Sequence, residues 1–173
     1  MKEGKRKQFR TQLRSDMKKH ANDILNSKNF RSSAKNIQHG RVSVLKHSMK
    51  VAYTSLWLSR KLHIKCEEKD LVRGALLHDY FLYDWHDEEH CGLKNLHGFY
   101  HPGVALKNAS KEYDLSPREK DIIKKHMWPL TVVPPRCKEA WLVTAADKYV
   151  STIETIAMRG KKKNKDSEKE DTE

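Results

Sequence analysis

Apolar residues recur every third or fourth position through most of this 173-residue chain, and that period narrows its possible folds most. Phe9, Leu13, Met17, Ala21 and Ile24 keep it near the N-terminus. Leu45, Met49, Ala52 and Leu56 keep it further on, with Val44, Val51 and Leu58 beside them. Such a stripe gives a helix one apolar face, whereas a half-buried strand alternates at period two. Seven glycines and five prolines are too few for the turn-rich connections of a β sandwich. The expectation is an all-α chain, folded as one compact helical bundle.

The period predicts helices over about 7–25, 41–62 and 67–78. Residues 80–97, crowded with aromatics, histidines and acids, have no period and read as an ordered loop. His101-Pro102 reads as a helix start, because proline suits a first turn. Ser116-Pro117-Arg118-Glu119 is a stronger start, with a capping serine and a glutamate placed to close a capping box. That helix should reach about 127. Pro129, Pro134 and Pro135 then favour an extended connection, and a last helix is expected over about 137–158. The domain is expected at 41–158, with a basic helix and linker (1–40) packed on it. Residues 159–173 are dominated by Lys, Asp and Glu and carry no apolar side chain, so a disordered charged tail is expected.

No stretch approaches the roughly 18 apolar residues of a membrane span, and no apolar run follows the first residues as in a secretory signal. Cys66, Cys91 and Cys137 are odd in number and scattered, which suggests reduced thiols and a cytoplasmic protein. The net charge is +12, and Lys2, Lys5, Arg6, Lys7, Arg10, Arg14, Lys18 and Lys19 crowd the first nineteen residues. Such a balance fits an anionic partner (a phosphate ester, a nucleotide or nucleic acid) or simply a solvated basic surface. Neither GxGxxG nor GxxxxGK[ST] occurs, so no glycine-rich phosphate loop is expected.

Two places carry a chemical signal. In Leu76-Leu77-His78-Asp79 an imidazole and a carboxylate close an apolar helical run, and in Ala145-Ala146-Asp147-Lys148 an acid again ends an apolar stretch. A charge beside a core needs a partner, and a metal ion is an adequate one. His47, mid-helix between Leu45 and Val51, could face both. Imidazole with carboxylate suits divalent zinc, manganese, iron, cobalt or nickel. Each histidine taken alone reads first as a hydrogen-bonded core or surface residue.

The order His…His-Asp…Asp on successive helices resembles the HD superfamily of metal-dependent phosphohydrolases. The pieces are His47-Ser-Met-Lys-Val-Ala, Gly74-Ala-Leu-Leu-His78-Asp79 and Ala145-Ala-Asp147-Lys148, and the resemblance covers about 41–154. It implies a helical HD domain with the metal site at its centre, held by His47, His78, Asp79 and Asp147. Some members hold two metals through two further histidines. His101, in His101-Pro102-Gly103-Val104-Ala105, and His126, after Ile122-Ile123-Lys124-Lys125, resemble these. In a two-metal site Asp79 would bridge the ions, and a metal-held water would attack a phosphorus centre.

Arg41, Lys46, Lys125 and Lys148 are candidate phosphate clamps around such a site, Lys148 being next to Asp147. In a one-metal member, Asp84 or Asp87 could serve the water or leaving group. The aromatics of Tyr80-Phe81-Leu82-Tyr83-Asp84-Trp85-His86 could stack on a base, exclude water, or anchor a packed loop. His86, His90 and His97 could add polar contacts. The implied substrate is a small phosphorylated molecule such as a nucleotide. Met127-Trp128-Pro129-Leu130 stands after His126 where cyclic-dinucleotide relatives carry Gly-Tyr-Pro, which argues against that substrate. The alarmone enzymes of this superfamily carry a synthetase domain for which the chain has no room. A di-iron oxygenase uses a similar ligand set and is the alternative chemistry. A non-catalytic protein that binds nucleic acid or a partner through the basic N-terminal helix is the other.

Overall fold

The computed structural model describes residues 3–39, 42–80 and 97–170, and among these the chain is almost entirely helical. Helix α1 is Glu3–Asn26 and α2 is Lys28–Ser32. A two-stranded antiparallel ladder follows, β1 (Ile37–His39) and β2 (Val42–Ser43). Then come α3 (Val44–Lys61), α4 (Glu68–Leu77), α5 (His97–Glu112), α6 (Pro117–Lys125) and α7 (Lys138–Glu170).

Local chemistry explains the boundaries. Ser43 caps α3, its Oγ accepting from the Lys46 N–H. Ser116 and Glu119 close the expected capping box at α6, with Pro117 in its first turn. Other expectations need correction. Helix α5 begins at His97, four residues before His101, so Pro102 lies inside it. The N–H that proline lacks would reach back only to Gly98 in the first turn, so a single ladder bond is lost there. The connection after α6 is not extended throughout. It turns over 126–130, with Trp128 and Leu130 N–H groups bonded to the Lys125 and Met127 carbonyls. Nor does α7 stop at 158: its backbone stays helical to Glu170, although a disordered tail was expected from 159. Lys and Glu propagate a helix well, and beyond Gly160 the tail holds neither glycine nor proline to end it.

Helix α4 is the centre of the bundle. Every residue from Asp70 to Leu77 is buried, and α1, α3, α5, α6 and α7 all pack against it. Its close contact with α6 depends on Gly74: a Cβ there would lie 2.5 Å from the Ile122 side chain. Buried Arg73 ties three helices, donating to Glu119 on α6 (2.6 Å) and to Asp23 on α1 (2.6 and 2.7 Å). The apolar stripe of α1, Leu13, Met17, Ala21 and Ile24, lies in the same core as Leu71, Leu76 and Ile123. No helix among the described residues is long and apolar enough to cross a membrane.

Candidate metal centre

The α4 helix ends at the middle of the bundle, and the groups that follow it are buried there. His78 is the C-cap of α4 and fully buried, and Asp79 follows it at 2 % exposure. His47, from the first turn of α3, is buried beside them, as are Asp147 from α7, His101 from α5 and His126, the C-cap of α6. Five helices thus bring six side chains, all singled out from the sequence, to one place.

The distances divide them into two groups that share Asp79. Asp79 Oδ2 lies 3.1 Å from His78 Nε2 and 3.8 Å from His47 Nε2. Asp147 Oδ1 closes that side, 3.0 Å from His47 Nε2 and 3.8 Å from His78 Nε2. The other oxygen, Asp79 Oδ1, lies 3.2 Å from His101 Nε2 and 3.5 Å from His126 Nε2, and the two imidazole nitrogens are 2.9 Å apart. His47, His78 and Asp79 form one group able to hold an ion, and Asp79, His101 and His126 a second.

The rings of His47, His78 and His126 are oriented by their far nitrogens. His78 Nδ1 donates to the Ala75 carbonyl (2.7 Å), and His126 Nδ1 donates to the Ile123 carbonyl (2.9 Å). Both use the same device: a histidine at a helix C-cap bonds the carbonyl three residues back, one of those left over at a helix end. His47 Nδ1 donates to Glu154 Oε2 at 3.0 Å. Carbonyls and carboxylates only accept, so each Nδ1 carries the proton and each Nε2 turns a lone pair inward when the ring is neutral.

The electrostatics favour a cation. Burial would neutralise Asp79, but His78 and the close approach of the His101 and His126 imidazoles hold its carboxyl well below the usual range. Burial likewise opposes charge on Asp147, and the His47 hydrogen bond with the nearby His78 imidazole more than offsets it, leaving the acid ionised. His78 and His47 are pushed up despite burial, His78 chiefly by the charge of Asp79 and His47 by hydrogen bonds to Asp147 and Glu154. Burial is the larger effect at His126, which is pushed down. His78 Nε2 is buried and lacks a hydrogen bond of good geometry. Two donors about 2.1 Å from one ion stand roughly 3.0–3.4 Å apart, close to the spacings here. The residues present therefore fit a divalent transition metal ion in donor type, charge and spacing.

The HD domain family model matches residues 44–152. The chain belongs to the HD-domain family. No curated protein and no solved structure matched it. HD-domain proteins bind divalent metals and are typically metal-dependent phosphohydrolases, and the buried His/Asp groups of this HD domain could hold such an ion.

The cations suggested for substrate lie differently. Lys46 and Lys148 are exposed. Lys125 is buried and engaged by Asp121, one turn earlier, at 2.6 Å, and it lines a cavity that includes none of the six central residues. The i,i+4 pairing with Asp121 draws it from the role of free clamp. Arg41, Asp84, Asp87, His86, His90 and the aromatics of 81–86 lie outside the described residues. So does the His97 side chain. Tyr80 is a core anchor, with its hydroxyl donating to Glu112 (2.6 Å) and its ring stacked on Phe30. One central residue went unrecognised in the sequence. Glu154, on α7 two turns beyond Asp147, is 4 % exposed and accepts from His47 and from Lys50 Nζ (2.6 Å). Its spacing of seven from Asp147 was the available signal, since i and i+7 share a helix face.

Proposed function

We propose that this HD domain is a metal-dependent phosphohydrolase that cleaves a small phosphate ester of the nucleotide class with two divalent ions. The observation that carries the reading is Asp79, whose two oxygens face separate histidine groups. One ion would be held by His47, His78, Asp79 and Asp147, and the other by Asp79, His101 and His126. When bound, such ions supply an acidified water near neutral pH and neutralise charge on a phosphoryl oxygen.

The chain's own groups contribute orientation. The Nδ1–H bonds of His47, His78 and His126 hold the rings so that Nε2 faces the centre. Burial of all six groups limits competing water and strengthens their electrostatic effect on charge that develops in the reaction. Lys46, Lys148 and Arg41 are the cations offered to the distal part of an anionic substrate. The same donor set could serve manganese, iron, cobalt, nickel or zinc.

Protein purified without chelators is expected to carry about two equivalents of metal by elemental analysis. It should release phosphate from nucleotides when supplied with manganese, cobalt, zinc or iron(II). Asp79→Ala is expected to lose both ions and the activity together. Retention of metal and turnover in that variant would overturn the bridging role. Substrate-dependent oxygen uptake by the iron-loaded protein, with no phosphate released, would overturn hydrolysis.

A further inference from the structure

A groove runs between α1 on one side and α3 and α7 on the other. Two confluent cavities of about 550 and 760 Å³ make it, and they share Arg14, Tyr53, Thr54 and Tyr149. One wall is cationic. Arg10, Arg14 and Lys18 stand at i, i+4 and i+8 of α1, so they form a line along one helix face, about 6 Å per step. None of the three makes an ion pair among the described residues. The other walls are aromatic and apolar: Trp57, four residues after Tyr53 on α3, is 37 % exposed, and Tyr149 on α7 is 61 % exposed. The lining holds one carboxylate, Glu154, and it is buried and engaged by Lys50 and His47.

A regular row of cations opposite accessible aromatic rings matches one ligand chemistry closely: a phosphate backbone with unstacked bases. A duplex offers the same phosphates but hides the base faces, so it would use only the α1 wall. We propose that this groove binds single-stranded nucleic acid, with Arg10, Arg14 and Lys18 following the phosphates and Trp57, Tyr53 and Tyr149 receiving bases. None of the six central residues lines it, although Glu154, which accepts from His47, forms part of its wall; strand binding there does not depend on the proposed hydrolysis. It would hold a nucleic-acid strand on the protein, whatever ester the metal centre cleaves.

The test is fluorescence anisotropy with a labelled twelve-nucleotide single strand, RNA or DNA, at about 50 mM salt. Binding is expected, with a log–log salt slope near −2, since about three phosphates are neutralised at roughly 0.7 each. Arg14→Glu with Lys18→Glu, both at exposed positions, should weaken binding at least about tenfold without changing metal content. Trp57→Leu and Tyr149→Leu should each weaken it about fivefold or more, with thermal melts confirming folded protein. Absence of binding, or binding indifferent to these variants, would overturn the proposal. So would equal affinity for inorganic polyphosphate, which has no bases, or displacement of the oligonucleotide by an acidic amphipathic peptide at lower concentration.

Discussion

The two ring nitrogens of His47 face different partners: Nε2 meets Asp147 and Asp79, and Nδ1 meets Glu154. Glu154 in turn is held by Lys50, whose ammonium offsets part of its charge. Burial opposes ionisation of Glu154, but the His47 and Lys50 hydrogen bonds outweigh it and pull its carboxyl below the usual range. A carboxylate behind a ligating imidazole fixes the tautomer and raises the basicity of the ligand. Glu154→Ala is therefore expected to weaken metal binding by about 10- to 100-fold, measured by competition with a chromophoric chelator. Glu154→Gln keeps an acceptor for the Nδ1–H and should lose much less. Unchanged affinity in the alanine variant would show that backbone packing alone orients His47.

At the scale of the element, α4 has the tightest constraints. From Asp70 to Leu77 it is buried all round, so no face there can shift outward to relieve a clash. Gly74→Ala would put a methyl 2.5 Å from the Ile122 side chain and force α4 and α6 apart. Overpacking of this kind costs about 1–3 kcal/mol, to be read from urea denaturation. Because His78-Asp79 and His126 end these same two helices, the variant should also weaken metal binding. The cap of α6 is a milder case. Ser116→Ala removes the acceptor for the Glu119 N–H and should cost about 1 kcal/mol with little effect on the centre. An equal loss of stability in both variants would contradict the close α4–α6 contact as the main constraint. The helix faces and the Ser116 capping box were legible locally, because period and capping are short-range properties. The α5 start and the reach of α7 were not, since a proline in a first turn and a charged tail are compatible with either state.

Across the whole molecule, long-range polar ties join what the core brings together. Glu112, at the end of α5, accepts from Ser27 and Asn29 near α2, and from Tyr80 after α4. Burial is the largest single effect and raises its carboxyl pKa, but these bonds together win and bring it from 4.5 to about 2. A depressed carboxylate stabilises the fold fully above its unfolded value. That contribution fades as pH falls from about 4.5 towards about 2. Thermal melts at pH 7 and pH 3 should show a larger fall for wild type than for Glu112→Gln. Because Glu112 is largely exposed, the difference should be modest. An equal fall in both proteins would mean that other depressed acids, such as Asp23 beside Arg73, dominate the acid response.

The sequence by itself determined that the chain is helical, which faces are apolar, and which imidazoles and carboxylates end buried runs. Those properties follow from spacing along one helix and from the cost of burying charge. It also supplied the order His47, His78-Asp79, Asp147 through which the family resemblance was drawn. Only the tertiary structure decided that Asp79 stands between two histidine groups and that Glu154 orients His47. It alone brought the α1 cations opposite Trp57 and Tyr149. Each of these depends on which helix faces meet, and residues more than twenty positions apart meet through packing of the bundle as a whole rather than through any local preference.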